Sequence, residues 1–514
     1  MSDGAGGARR LLSGTAWNAA GRGLPLLLAL LITPVLLGQL GIERWGLFTL
    51  ALGLVGVFGV FDLGVGPALT RALAERLGAG GGGSRGGEAE LVVAAILALA
   101  GISFVGAALL WWAMPALVER VLNVPPALQA EAVRAFRLLV LAAPLVVVNA
   151  ALWGVLAAHQ RFRAANLVSI PVGAFYYLGP VLALLVWDSL VAVMLALVAC
   201  RLANTLSYTW LVWRLVPGLS RVRPRLAPAL PLLRLGGWMS VSGALTQALL
   251  QADRFLIGAL LSLAAVAYYA TPLDLVMRMW ILPVAVAQAL LPALASGFRT
   301  MPSETAALLR RGALLIAALV LPACLVLVAF AETILRLWLG AEFAMGGAAV
   351  LRILGVGILF SCVSFAPGSL LDAIGRPDAT ARFALAQAAV YLPLGALLLL
   401  AGFGIEGMAI AWTARAAVEC AGRLWLAVRL YPAAAAAARD LTPVLACGGV
   451  GLAAVAALSH GAAAGTGVTV FVGAAVLAGF AGLAWRAFPP EERAALLEAL
   501  RRPRAWLLRP GGAP

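Results

Sequence analysis

Long apolar runs, each closed by a short polar segment, succeed one another along almost the whole chain. Fourteen can be marked, near residues 15–37, 45–68, 91–117, 134–157, 166–186, 190–213, 236–260, 265–296, 306–330, 346–373, 381–401, 405–428, 441–459 and 466–485. About 20 apolar residues suffice for a helix to cross the hydrocarbon of a bilayer. In lipid the backbone must satisfy its own hydrogen bonds, which leaves the helix as the natural form for such a run. The pattern predicts an all-α membrane protein with about fourteen transmembrane helices.

The polar segments carry the orientation. With the N-terminus inside, the inside segments hold 25 arginines, among them Arg9, Arg10, Arg71, Arg76, Arg161, Arg163, Arg214, Arg299, Arg376 and Arg429. The outside segments hold only Arg44, Arg120 and Arg336. Basic residues concentrate on the cytoplasmic side of membrane proteins, so both termini and the basic loops are expected in the cytoplasm. The outside segments ERVLNVPPALQAE and AETILRLWLGAEFAM are too short to hold a domain. Inside, GAGGGGSRGGE reads as a flexible linker, and PPEERAALLEALRRPRAWLL as an amphipathic helix lying on the anionic inner leaflet. The apolar run after Arg10 is longer than a signal-peptide core and reads as a retained helix.

Weak internal similarity divides the chain. QLGIERWGLFTL (39–50) aligns with LLSLAAVAYYAT (260–271), and RLLVLAAPLVVVNAALWGVLAAHQRFR (137–163) with RILGVGILFSCVSFAPGSLLDAIGRPD (352–378), in the same order and at nearly equal offsets. Internal repeats are common in transporters. They imply a six-helix half over 1–215, a basic, Pro-rich cytoplasmic linker over 216–232, a second six-helix half over 233–430, and two further helices with a basic tail over 431–514.

Composition sharpens this picture. Of the 514 residues 63% are hydrophobic and 11% charged, against roughly 25% charged in soluble domains. A net charge of +15 could suggest nucleic acid, but the chain has no lysine and spreads its arginines between apolar runs, so no nucleic-acid partner is expected. The use of Arg in place of Lys, with abundant Ala and Gly, suits a GC-rich bacterial genome, and the expected location is the bacterial inner membrane. Cys200, Cys324, Cys362, Cys420 and Cys447 lie inside apolar runs with no CxxC spacing and read as small buried hydrophobes. Two isolated histidines, His159 and His460, cannot build an ordinary metal site. No metal, cofactor or catalytic residue is expected.

Nine arginines fall within or at the edge of a helix: Arg22, Arg134, Arg137, Arg201, Arg254, Arg278, Arg352, Arg415 and Arg423. An arginine at the bilayer centre costs at least ~2.5 kcal/mol on insertion, so these need a wet or protein-lined interior. Arg134, Arg137 and Arg423 can snorkel towards a helix end; the deeper ones cannot all do so. Several share a helix face with other polar groups: Asn18 with Arg22, Gln247 with Gln251, Asp274 with Arg278, and Arg415 with Glu419 and Arg423. The last series reads equally as a buried ion pair holding helices together. Asn18, Arg22, Arg201, Arg254, Arg278 and Arg352 are the candidate substrate-cavity residues, since guanidinium groups match phosphate with forked hydrogen bonds. Asp253 and Asp274 are candidates for ion coupling. Asp62, at the inner end of the second helix, is a candidate for gating or for capping the next turn.

The stretches GTAWNAAGRGLPLLLALLITPVLLGQLGIERWGLFTL and FDLGVGPALTRALAE resemble the N-terminal region of bacterial polysaccharide biosynthesis proteins, the Wzx-type flippases. So does GGWMSVSGALTQALLQADRFLIGALLSLAAVAYYATPLDLVMRMWILPVAVAQALLPALAS. These belong to the multidrug/oligosaccharidyl-lipid/polysaccharide exporter superfamily. The resemblance covers roughly residues 13–430; the last two helices depart from the commoner twelve-helix pattern. It implies a MATE-like, V-shaped pair of six-helix bundles that moves an undecaprenyl-pyrophosphate-linked oligosaccharide between leaflets by alternating access. The implied partners are that polyprenyl-pyrophosphate-linked glycan, membrane lipid, a polysaccharide polymerase and glycosyltransferases. A drug or small-molecule antiporter and a lipid II flippase of the same superfamily are the alternatives, with a membrane glycosyltransferase or ligase a more distant one. The orientation is checked by alkaline phosphatase fusions: those after Asn123 and Gly340 are expected to be active, and those after Ser84 and Arg221 inactive. The reverse pattern overturns the assigned topology.

Overall fold

The computed structural model of the chain describes residues 3–58, 65–78, 85–219, 222, 227–230, 251–460, 466–488, 490–491 and 493, with side chains from Leu27 onward apart from isolated positions. Among these residues all regular structure is helical, as a chain solvated by lipid requires. Eleven helical runs are long and apolar enough to cross a membrane. Two of them carry a break at glycine. Leu27–Phe58 belongs to a helix broken at Gly41, whose φ of 72° suits glycine, and Pro377–Leu430 is broken at Gly402 and Gly404, with φ of 87° and 56°. Each break falls between two of the apolar runs marked in the sequence. The predicted helix at 236–260 lies mostly outside the described residues.

Packing separates two units, Met1–Ala270 and Thr271–Pro514. In the first, α1 (Asp3–Phe58), α2 (Val65–Gly78), α3 (Arg85–Ala116), α4 (Pro126–Val140), α5 (Ala143–Ala158), α6 (Phe162–Val186) and α7 (Leu190–Leu215) follow in order. One core joins α2, α3, α5 and α7 through Leu69, Leu73, Val92, Leu99, Leu152 and Val212. Helical residues 251–260 precede α8 (Leu263–Met277). They are fastened to the α3–α4 connection: Asn123 donates from its backbone N to the Gly258 carbonyl (2.7 Å) and from Nδ2 to the Leu261 carbonyl (2.6 Å). That attachment is one reason why the division between the units falls inside α8.

One ion-pair cluster ties α1, α4 and α7 together at one end of this unit. Arg44 donates from Nε to Glu131 Oε2 (3.1 Å) and from Nη1 to Asp188 Oδ1 (3.2 Å). The other oxygen of Glu131 accepts from Ser189 Oγ and from the Leu190 backbone N, both at 2.7 Å. Arg44, one of the three arginines on the sparsely basic side, thus holds helices in register.

The second unit runs from the end of α8 through α9 (Ile281–Gly297), α10 (Pro302–Ala329), α11 (Ala331–Leu339), α12 (Ala341–Val363), α13 (Phe365–Ala373), α14 (Pro377–Leu398), α15 (Gly404–Leu430), α16 (Ala435–His460) and α17 (Thr466–Ala487). The run containing α12 is the most enclosed of the spans, and α12 packs against α10, α15 and α16. In both units large apolar side chains such as Trp112, Val186, Leu400 and Phe471 point outward, the surface expected of a chain solvated by lipid.

Close crossings use small residues. A Cβ at Gly357 of α12 would lie 2.7 Å from Thr413 Oγ1, 2.8 Å from the Trp412 ring and 2.9 Å from the Thr413 Cα. Gly357→Val is therefore expected to lower stability by ~1–3 kcal/mol, the usual cost of overpacking, seen as a lower unfolding temperature in detergent. An unchanged temperature would mean that this crossing tolerates a wider separation.

Candidate functional site

The charged residues singled out in the sequence fall into distinct surroundings. Asp62 lies outside the described residues, and Asn18 and Arg22 lie on α1 at positions whose side chains are outside them. Arg201, on α7, places its guanidinium carbon 5.1 Å from the centre of the Tyr176 ring on α6, within cation–π range. Asp253 and Arg254 are both buried. Asp253 accepts from the Tyr269 hydroxyl at Oδ2 (2.9 Å) and from the Arg254 backbone N at Oδ1 (2.8 Å), as a buried carboxylate needs. Asp274 lies near the end of α8 and Arg278 in the 3₁₀ turn Arg278–Trp280; both are half-buried. Arg352 on α12 is buried, with Nη2 3.7 Å from Glu332 Oε2, and Glu332 also pairs with Arg336.

In the second unit Arg310, Arg352, Arg415 and Arg423 have carboxylate neighbours. Glu419 sits between Arg415 (3.2 Å) and Arg423 (2.6 Å) on successive turns of α15. The Arg415 guanidinium also lies near the rings of Tyr391 and Trp412, and Arg423 donates to the Ser364 carbonyl. Arg310 pairs with Asp440 at 3.3 Å, joining α10 to α16. The ion-pair arrangement open to the Arg415–Glu419–Arg423 series is the one present.

A different environment opens in the first unit. A cavity of about 780 Å³ lies between α2, α5 and α7, large enough for a sizeable ligand. Its polar lining is Thr70 and Arg71 from α2, Asn149 from α5, and Asn204 and Tyr208 from α7, with the Trp153 ring completing the wall. The spacing explains the arrangement: Asn149 and Trp153 are four apart on α5, and Asn204 and Tyr208 four apart on α7, so each pair stacks on one helix face. The Trp153 and Tyr208 ring centroids are 6.3 Å apart. Gly154 lets α5 approach α2, since a Cβ there would meet Thr70 Oγ1 at 2.7 Å.

The electrostatics of this cavity are mild. Arg71 is its one charged lining residue, and it donates to Glu75 at 2.8 Å. That hydrogen bond raises the Arg71 pKa above its ordinary value and keeps the guanidinium charged. The Oδ1 atoms of Asn149 and Asn204 are buried with no hydrogen-bond partner among the described residues. A buried carbonyl without a donor costs about 1–3 kcal/mol. Neither asparagine carries a charge, so a search of the apolar runs for ionic groups passes over them. The signal available was polar residues at i and i+4 within an apolar run.

Comparison with known proteins adds lineage to this geometry. A family model for polysaccharide biosynthesis proteins matches residues 11–298. A Shigella flexneri protein named "Putative O-antigen transporter" is 24% identical over 422 residues, spanning 82% of this chain and 98% of that one. Two solved folds are similar. An inward-facing multidrug resistance MATE transporter of the MOP superfamily superposes with a TM-score of 0.69 at 15% identity, over 80% of this chain and 98% of its own. The lipid II flippase MurJ, in an inward closed conformation, superposes with a TM-score of 0.67 at 12% identity, over 92% of this chain and 99% of its own.

The ion-pair series on α15 yields a test. Glu419→Gln leaves two partly buried cations without their shared carboxylate, and breaking such a pair costs ~3–5 kcal/mol when fully buried and less here. Lower membrane abundance and a lower unfolding temperature are expected, with the Arg415→Leu/Glu419→Leu/Arg423→Leu triple variant recovering part of the loss. Normal stability with lost transport would instead place Glu419 in the transport path.

Proposed function

Because the chain belongs to the polysaccharide biosynthesis protein family, we propose that it is a flippase. Its substrate is a polyprenyl-pyrophosphate-linked oligosaccharide, carried from the inner to the outer leaflet of the bacterial cytoplasmic membrane for surface polysaccharide assembly. The observation that carries this reading is the near full-length match to the Shigella flexneri protein together with a multi-pass, MATE-like helical fold. A lipid-linked glycan joins an apolar tail, a dianionic linkage and a neutral or acidic sugar. The chain offers a lipid-facing apolar exterior, buried arginines such as Arg254, and a polar cavity within its first unit.

In this reading Arg22, Arg201, Arg254, Arg278 and Arg352 supply positive charge along the path of the pyrophosphate, and Asp253 and Asp274 are the groups through which a coupling ion would act. The polymerase and glycosyltransferases that make and use the lipid-linked glycan are its working partners. Both termini face the cytoplasm, where the substrate is assembled. A second reading, transport of lipid II, draws on the MurJ likeness, which extends over 92% of this chain.

Deletion of the gene is expected to abolish surface polysaccharide and to accumulate lipid-linked repeat units on the inner side of the membrane. Complementation with Arg254→Ala or Arg278→Ala is expected to fail at normal membrane abundance. Normal surface polysaccharide in the deletion strain overturns the reading, and rescue of a strain depleted of its lipid II flippase would favour the second one.

A further inference from the structure

The internal repeat brings two corners of the fold into correspondence. At the offset of 215 that aligns 137–163 with 352–378, Arg161 corresponds to Arg376, Trp210 to Trp425 and Arg214 to Arg429. In each unit the tryptophan and the arginine stand four apart near the end of a long helix, and they stack. The guanidinium carbon of Arg214 is 3.9 Å from the centre of the Trp210 ring on α7, and that of Arg429 is 5.1 Å from the centre of the Trp425 ring on α15. One position breaks the correspondence. Arg376 is neutralised by a forked contact with Asp378, at 3.0 and 3.3 Å, whereas the position of Asp378 is taken in the first unit by Arg163. Over these positions the first corner carries three cations, and the second carries two cations and an anion.

The first corner is also shaped as a groove. α5 ends in a tight turn in which Gln160 adopts a φ of 54° and the Arg161 backbone N donates to the Leu156 carbonyl at 2.9 Å. Arg161 thus stands directly before α6, beside the last turn of α7. A groove of about 190 Å³ lies there, with Leu156, Ala164, Leu211 and Leu215 as its apolar lining and Arg161 and Arg214 as its polar lining. Both arginines are exposed, and among the described residues neither pairs with a carboxylate. Arg71, Arg310 and Arg376, by contrast, each have one. Stacking on Trp210 holds the plane of Arg214 while leaving its N–H edges free to donate. Ala164 belongs to the first turn of α6, so the positive end of that helix dipole adds to the same field.

An anion with an apolar extension completes such a groove. Guanidinium groups match phosphate oxygens with forked hydrogen bonds, and a leucine floor suits the upper carbons of an acyl chain. The surroundings are those of a headgroup layer: Trp210, Trp213 and Phe162 are 48%, 56% and 48% exposed, and aromatic side chains collect at membrane interfaces. The arginine distribution assigns this end of the helices to the cytoplasm, the side on which basic pockets between helices meet anionic headgroups.

We propose that the groove between the α5–α6 turn and the end of α7 binds the phosphate headgroup of an anionic phospholipid of the inner leaflet, with Arg161 and Arg214 donating to its oxygens and Arg163 adding charge beside them. The corresponding corner of the second unit, where Asp378 already occupies Arg376, does not. The proposal goes beyond the flippase reading and does not depend on the cargo: the bound lipid clamps the α5–α6 turn to the end of α7.

The test is native mass spectrometry of the full-length protein in an uncharged detergent, which counts the lipids retained by each chain, with phosphatidylglycerol as the probe. Phosphatidylglycerol is expected to be retained at least about tenfold better than zwitterionic phosphatidylcholine. Arg161→Gln and Arg214→Gln are expected to weaken its retention about fivefold each, the scale of one basic residue at an anionic surface. Arg376→Gln/Arg429→Gln is expected to leave it within about twofold. Arg163→Asp copies a charge pattern with which the second unit already folds, and is expected to weaken retention by about fivefold or more. Equal losses in the first-unit and second-unit variants overturn the proposal, as does equal retention of the two phospholipids. Displacement of phosphatidylglycerol by millimolar inorganic phosphate overturns it in favour of a free-anion site, and preferential retention of polyprenyl pyrophosphate overturns it in favour of the cargo. The flippase reading fails by a different result, normal export in the deletion strain.

Discussion

Lipid offers no hydrogen bonds, and this constraint governs the rest of the molecule. Every backbone amide inside the bilayer must be satisfied within the chain, so the described residues form helices and the breaks fall at glycines with positive φ, Gly41, Gly402 and Gly404. The same constraint acts on side chains. Several charges within the described helices are answered by the protein: Glu419 lies between Arg415 and Arg423, Asp440 beside Arg310, and Tyr269 beside Asp253. Without a hydrophobic drive between helices in lipid, close crossings at small residues such as Gly357 and Gly154 supply the packing.

Against that background, the groups left unanswered are the informative ones. Buried ionic side chains in the second unit largely serve to join helices, as Arg310 does between α10 and α16. In the first unit the side-chain oxygens of Asn149 and Asn204 are buried without a hydrogen-bond partner among the described residues. A neutral amide is cheaper to leave unsatisfied than an arginine, because its desolvation cost is a few kcal/mol at most.

The chain belongs to the polysaccharide biosynthesis family and has a MATE-like and MurJ-like fold; the substrate proposed for it is of mixed character. An apolar tail, a charged linkage and a hydroxylated glycan make three different demands on one protein. Lipid-exposed helix faces, buried arginines and the cavity of the first unit are three different surfaces.

Much of the architecture was legible in the sequence, because helix formation in lipid is dictated by run length and local hydropathy. Most of the apolar runs overlap helices of the described residues, and Gly41, Gly402 and Gly404 between runs mark breaks. The family was legible too, from extended stretches in both halves. The environment of each charge was not. Asp253 and Tyr269 lie sixteen residues apart and meet through a hydrogen bond; Arg352 meets Glu332 on another helix. The cavity was hidden for the same reason. Asn149 and Asn204 are unremarkable singly, and only the packing of α5 against α2 and α7 brings them to one space. Sequence by itself determined which segments enter the membrane, since that depends on each segment's own transfer energy. Tertiary structure alone decided which polar groups are paired and which remain open, since that depends on neighbours distant along the chain.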